Sequence, residues 1–149
     1  MIRFSGGIIM TADDNPSKTG RCLCGAVGYE ILGPVQMTAI CHCRNCQRQS
    51  GTAYSVIAGI LRSDYRQTGE TRIFHDTGDS GRRVERHFCG GCGSPILSII
   101  EPLPEMLFIK AGTLDDSTEL QPAVEVYCDS AMPYVPLVPG TQKFPKSNV

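Results

Sequence analysis

The sequence predicts a mainly β domain with very little helix. The apolar residues fall in short runs that either alternate with polar ones or are rich in β-branched types. Glycine (16) and proline (10) recur throughout the 149 residues, so no run grows long. No window sustains the apolar period of a helix. Many short strands separated by turns belong to sheet architectures.

In chain order, strands are expected over residues 27–31, 54–58, 71–74, 84–88, 96–100, 107–111 and 124–127. Residues 27–31 place Val27, Tyr29 and Ile31 on one face, and residues 124–127 do the same with Val124 and Val126. The others are set by valine, isoleucine and aromatic content. Turn signals separate them: Gly33-Pro34, the stretch 77–81, Pro102 to Pro104, and Asp115-Asp116-Ser117. The one helical candidate is a short piece over residues 45–50, ended by Gly51. After Met132 the chain is proline-rich and is expected to pack as irregular structure. Residues 1–19 read as a poorly ordered N-terminal extension and residues 20–149 as a single domain.

Composition excludes several function classes. The net charge is -1, from 14 basic and 15 acidic residues, and no basic block supplies the footprint of a nucleic-acid binder. No apolar run approaches the roughly 20 residues that span a bilayer, so no membrane role is expected. Ile8, Ile9 and Met10 make too short a run for a signal peptide. A cytoplasmic location follows as the expectation. Eight cysteines in that reducing compartment point to metal binding or redox work rather than structural disulfides.

Seven of the eight cysteines cluster. They stand as Cys22-x-Cys24, Cys41-His42-Cys43-x-x-Cys46 and Cys89-Gly90-Gly91-Cys92. Two intervening residues let a tight turn aim both sulfurs at one tetrahedral ion about 2.3 Å away. A closed structural zinc site takes four protein ligands, and a catalytic one takes three and leaves a position open. Counting ligands, Cys22, Cys24, Cys89 and Cys92 make a structural site, and Cys41, Cys43 and Cys46 make a second site. Two zinc ions per chain follow. A competing partition pairs Cys43 and Cys46 with Cys89 and Cys92 as a zinc ribbon, but it strands the other three. A redox dithiol at Cys89 and Cys92 lacks the βαβ context of such motifs. Cys128 stands alone and reads as a small core residue.

The motifs carry a resemblance. Gly20-x-Cys22-x-Cys24-Gly25-Ala26-Val27, Cys41-His42-Cys43-x-x-Cys46 with Gln49-Ser50-Gly51, Phe88-Cys89-x-x-Cys92-Gly93-Ser94 and Ala111-Gly112-Thr113-Leu114-Asp115 stand in this order. In them the chain resembles the glutathione-dependent formaldehyde-activating enzyme (GFA, or centromere-protein-V type) family over about residues 20–145. The resemblance implies an Mss4-like fold of curled antiparallel sheets. It implies a structural zinc at Cys22, Cys24, Cys89 and Cys92 and a catalytic zinc at Cys41, Cys43 and Cys46. It also implies a carbon–sulfur lyase activity, the reversible addition of glutathione to formaldehyde. The substrate would then be a small thiol–aldehyde adduct such as S-hydroxymethylglutathione. Where many members carry a tryptophan after the last strand, this chain has none, and Tyr134 stands in that region.

Few helpers are visible near the second site. Arg44 and Arg48 flank the loop and could attract a carboxylated thiol. Gln49 and Ser50 sit where the short helix ends and could line a pocket. His42, between two ligands, is expected to point away from the metal. His87, two residues before Cys89, would share that ligand's face on a strand. His75 is expected to be exposed in a turn. Two alternatives use the same cysteines: a non-catalytic interaction module whose second site is closed by a fourth ligand such as Cys128 or His42, and a zinc hydrolase of another carbonyl or imine adduct.

Overall fold

The structure is a computed structural model and describes residues 17–149. Residues 1–16 of the expected N-terminal extension lie outside the described residues. Among the described residues eleven strands and one α-helix run in the order β1 (Lys18–Arg21), β2 (Gly28–Ile31), β3 (Met37–Cys41), α1 (Arg44–Ser50), β4 (Ser55–Leu61), β5 (Tyr65–Thr68), β6 (Thr71–Thr77), β7 (Arg83–Cys89), β8 (Pro95–Ile100), β9 (Met106–Lys110), β10 (Val124–Val126) and β11 (Gln142–Lys143). The mainly β expectation holds, and all seven expected strands coincide with observed ones.

Two sheets form. β1, β2 and β5 make a three-stranded antiparallel sheet, and the other eight strands make a sheet in the order β11-β10-β3-β4-β9-β8-β7-β6. Every pairing is antiparallel except those of β10 with β3 and with β11. The tail is therefore less irregular than its prolines suggest, because β11 adds a short parallel strand at the sheet edge. Tyr134 is 75% exposed and fills no core position, since the Met132 to Val135 turn faces solvent.

Alternation along the large sheet creates two faces. One face packs on the small sheet, and Val27, Tyr29, Ile31, Ala58, Ile60, Ile96, Leu107 and Ile109 form the core between them. Gly20 is required at this contact, because a Cβ there would stand 2.3 Å from the Tyr29 ring. The opposite face, carried by Cys41, Ile57, Phe108 and Lys110, lines a cavity. Helix α1 starts at Cys43 as N-cap and stops at Gly51, whose φ of 71 is the left-handed turn that glycine reaches without steric cost.

Candidate metal centres

Glycine shapes the first cysteine cluster. Gly25 (φ 83) follows Cys24 and Gly93 (φ 80) follows Cys92. The Gly93 N–H closes its turn on the Cys89 carbonyl at 2.8 Å. The sulfurs of Cys22, Cys24, Cys89 and Cys92 then lie within 4.8 Å of one another. Cys22 Sγ is 3.6 Å from Cys24 Sγ, which is 3.8 Å from Cys89 Sγ. Tetrahedral sulfurs about 2.3 Å from one ion stand about 3.8 Å apart, so the group fits a single cation. The N–H groups of Val27 and Gly91 donate to Cys22 Sγ and Cys89 Sγ, both at 3.3 Å. Ser94 Oγ accepts from the Leu23 N–H at 3.0 Å and lies 3.2 Å from Cys92 Sγ, tying the two turns together. Hydrogen bonds to Ser94 hold the Cys92 thiol down to about 5. A backbone hydrogen bond at Ala26 favours the Cys24 thiolate, yet the adjoining sulfurs of Cys22, Cys89 and Cys92 push it up to about 11. Touching thiols cannot all ionise without a cation between them.

The second cluster is built by a strand end and a helix start. β3 ends at Cys41, and the N-cap Cys43 accepts the Cys46 N–H on its sulfur at 3.2 Å. Cys41, Cys43 and Cys46 are buried, and their sulfurs lie within 4.8 Å of one another. Among the described residues no other histidine, cysteine or carboxylate joins this group. Cys128 points its Sγ at the Glu125 carbonyl (3.6 Å), and His42 turns to the Glu125 carboxylate. Neither closes the trio as a fourth ligand.

All three sulfurs line a cavity of about 400 Å³, and Cys22, Cys24, Cys89 and Cys92 do not. This volume sits toward the small end of the ~300–1,000 Å³ typical of small-molecule sites. The same cavity holds two buried cations. Arg86, 4% exposed, donates from Nε to Asp76 Oδ2 at 2.7 Å and places Nη1 3.9 Å from Cys46 Sγ. Lys110, 5% exposed, donates from Nζ to Ser55 Oγ at 3.0 Å. Hydrogen bonds from Cys41 and Cys43, then the charges of Lys110 and Arg86, bring Cys46 down to about 2. Hydrogen bonding to Cys43 and Cys46 pushes Cys41 up. Burial lowers the Lys110 ammonium below its ordinary value, and the neighbouring thiolates counter this only in part. A trio of thiolates around a divalent ion is net negative, and the two cations offset that charge in a site of low dielectric.

Sequence reasoning missed Arg86, Lys110 and Ser98, which lie on strands far from the cysteine motifs. It placed weight instead on Arg44, Arg48, Gln49 and Ser50, none of which lines the cavity. Arg44 and Arg48 are on the exposed side of α1, and the Arg44 guanidinium donates to the side-chain oxygen Oε1 of Gln47 on its own helix. Ser50 Oγ donates to the Cys46 carbonyl at 2.7 Å. Proximity in sequence does not place these residues at the cavity because the helix carries them off the sheet face.

The histidines also take other places. His87 does not turn to the cysteines: a bulge between His87 and Phe88 breaks the alternation, and the ring meets Thr71 Oγ1 and Glu85 Oε1, both at 3.2 Å. His75 is exposed as expected, but on β6 rather than in a turn. His42 is buried, with Nε2 2.9 Å from Glu125 Oε1. Glu125 Oε2 also accepts from Thr141 Oγ1 (2.6 Å) and the Val138 N–H (3.0 Å), fastening the tail beneath the Cys41 loop. Glu125→Gln keeps the shape and removes the charge. It is expected to lower stability by about 1.5–3 kcal/mol, the worth of hydrogen bonds to a charged group. Urea unfolding of the variant beside the wild type measures this.

The comparisons with known proteins agree with this geometry. A family model described as glutathione-dependent formaldehyde-activating enzyme matches residues 17–130. A curated protein of Fusarium vanettenii, named "Putative glutathione-dependent formaldehyde-activating enzyme", is 29% identical over 83 residues. That alignment takes in 54% of this chain and 44% of the relative, so the chain spans less than half the relative's length. The crystal structure of a Rhodobacter sphaeroides protein is similar in fold, with a TM-score of 0.53 and 22% identity over 68% of this chain and 91% of that one. The antiparallel sheets accord with the Mss4-like architecture expected from the motifs. With the match running from β1 through both cysteine clusters, the chain belongs to the glutathione-dependent formaldehyde-activating enzyme family.

Proposed function

We propose that this protein is a zinc-dependent carbon–sulfur lyase that interconverts a thiol–aldehyde adduct with its free thiol and aldehyde. The observation that carries this reading is the unequal placement of the two clusters. The trio of Cys41, Cys43 and Cys46 opens onto a cavity and the foursome does not. Cys22, Cys24, Cys89 and Cys92 would hold a structural zinc. Zinc held by Cys41, Cys43 and Cys46 would supply Lewis acidity and favour the deprotonated form of a thiol beside it.

In the cleavage direction the carbon–sulfur bond of R–S–CH₂OH breaks and its electron pair stays on sulfur. The hydroxyl proton is lost, and R–SH and formaldehyde leave. No oxidant or reductant enters. In cleavage Lys110 Nζ, the buried ammonium of the cavity, gives a proton to the departing sulfur and the resulting amine takes the hydroxyl proton in return; addition runs the same two transfers backwards, with the ammonium donating to the carbonyl oxygen. Arg86, held by Asp76, balances the thiolate charge. The apolar walls exclude bulk water, which would otherwise hydrate the aldehyde.

Exchange spectroscopy with ¹³C-formaldehyde and a thiol tests the reading. The wild type is expected to accelerate exchange between adduct and free aldehyde, and a rate equal to the uncatalysed one would overturn the assignment. Cys43→Ser should stay folded, carry about half the zinc, and lose the acceleration, because a catalytic site with two of three ligands holds its ion weakly. Metal content and far-ultraviolet circular dichroism read the first two outcomes.

A further inference from the structure

We propose that the adduct accepted at Cys41, Cys43 and Cys46 carries an apolar tail, an aliphatic or aryl group on its thiol, in place of a charged tripeptide. The inference rests on the lyase reading of that site and narrows its substrate class.

The cavity walls supply the argument. Met37, Ile57, Ile100, Met106, Phe108 and Val124 line it, and no side chain among them donates or accepts an ordinary hydrogen bond. Their backbones lie in paired strands, so most of the main-chain polar groups there are engaged in the ladders. A tripeptide thiol would bring two amides, two carboxylates and an ammonium. Its amides would meet walls with few partners to offer, and a buried polar group without a partner opposes binding. An alkyl tail gains from the same walls by about fourfold per methylene, the usual worth of burying one CH₂.

The polar groups of the interior suffice for one small head. Ser98 and Arg86 are directly paired across β8 and β7. Ser98 is 6% exposed, and its buried Oγ has no hydrogen-bond partner. An orphaned hydroxyl in a cavity wall is costly unless a ligand meets it. The hydroxyl of R–S–CH₂OH is the matching group, and Lys110 and Arg86 are the charged neighbours. The other polar groups of the lining come from two places away from the sheet face: Asp79, Ser80 and Arg82 from the exposed turn between β6 and β7, beside Arg83 at the start of β7, which is bound to Glu101 at 3.0 Å, and Tyr127, Ser147, Asn148 and the Val149 carboxylate from the residue after β10 and the C-terminal tail.

Two measurements on the zinc-loaded protein test this. Calorimetry with ethanethiol, butanethiol and hexanethiol is expected to show affinity rising about fourfold per methylene until the cavity is filled. Exchange rates for the corresponding S-hydroxymethyl adducts should rise in parallel and exceed that of S-hydroxymethylglutathione. Affinity that does not change with chain length overturns the proposal whatever the rates do. A glutathione adduct processed faster than every alkyl adduct overturns it as well. Length-dependent binding with no turnover of any adduct sustains the apolar class and overturns the lyase reading instead. Met106→Gln, at a half-buried wall position, should reduce the hexyl-over-ethyl affinity ratio about fivefold, by placing an unmatched amide against the tail. An unchanged ratio in that variant and in Met37→Gln would also count against it.

Discussion

Cys24→Ser and Cys92→Ser are each expected to yield a chain that is largely insoluble and binds little metal. The two residues bring one sulfur each from turns that lie far apart in sequence, with Cys24 and Cys89 separated by 65 positions. Their cluster joins the start of the small sheet to the β7–β8 hairpin of the large one, and its other two cysteines, Cys22 and Cys89, are part of the hydrophobic core. Serine offers a hydroxyl that stays protonated and binds zinc poorly, so three ligands remain around an ion that needs four. A structural zinc contributes about 10–16 kcal/mol in small zinc domains, whereas a whole domain is stable by only about 5–15 kcal/mol. Loss of even half the metal's contribution therefore consumes most of the stability. For a chain of this size the melting temperature should fall by about 15 °C or more, or the transition should lose cooperativity. Soluble yield, metal per chain and calorimetric melting read the effect. A Cys92→Ser protein that melts with the wild type and retains two zinc ions would remove the structural role from this cluster. The contrast with Cys43→Ser, which should stay folded, separates the two centres by measurement.

Much of this architecture is legible in the sequence, and the illegible part has physical causes. Strands with one buried face announce themselves by alternation, as Val27, Tyr29 and Ile31 do in β2. β3 (Met37–Cys41) escapes because it is buried on both faces, so no alternation of apolar and polar residues marks its five positions. β1 and β5 escape because they are short, polar edge strands whose pairing is decided by partners distant in sequence. The cysteine clusters are legible because their spacing is local: each segment carries its own sulfurs, and Gly25 and Gly93 stand directly beside those of the first cluster. The cavity residues are not, because a charged residue in a strand reads as solvent-facing. Arg86 and Lys110 point inward only because β7, β8, β9 and β4 bring them to the face that also carries Cys41. The His87 bulge is a similar case, since a one-residue register shift is invisible in a run such as Val84-Glu85-Arg86-His87-Phe88.

Lys110→Met should abolish most of the catalysis while leaving the fold intact, and this pairing makes it the sharper test of mechanism. The lysine is 5% exposed and its ammonium has one hydrogen-bond partner, Ser55 Oγ. Burying a cation with so few partners costs stability, so a methionine of similar length should be neutral or stabilising for the fold. The rate should fall about 10²–10⁴-fold, the usual contribution of a positioned proton donor. Burial holds the Lys110 pKa below the ordinary 10.5, so the wild-type rate should fall as the pH rises through that lowered value and the ammonium loses its proton. In Lys110→Met this alkaline limb should vanish from the profile, and in Lys110→Arg it should move out of the accessible range because a guanidinium does not titrate there. A purely structural lysine predicts the opposite pattern: a lowered melting temperature and an unchanged pH profile. Zinc content of the same preparations completes the argument, because a fall in rate at two zinc ions per chain assigns the loss to the ammonium rather than to a missing metal.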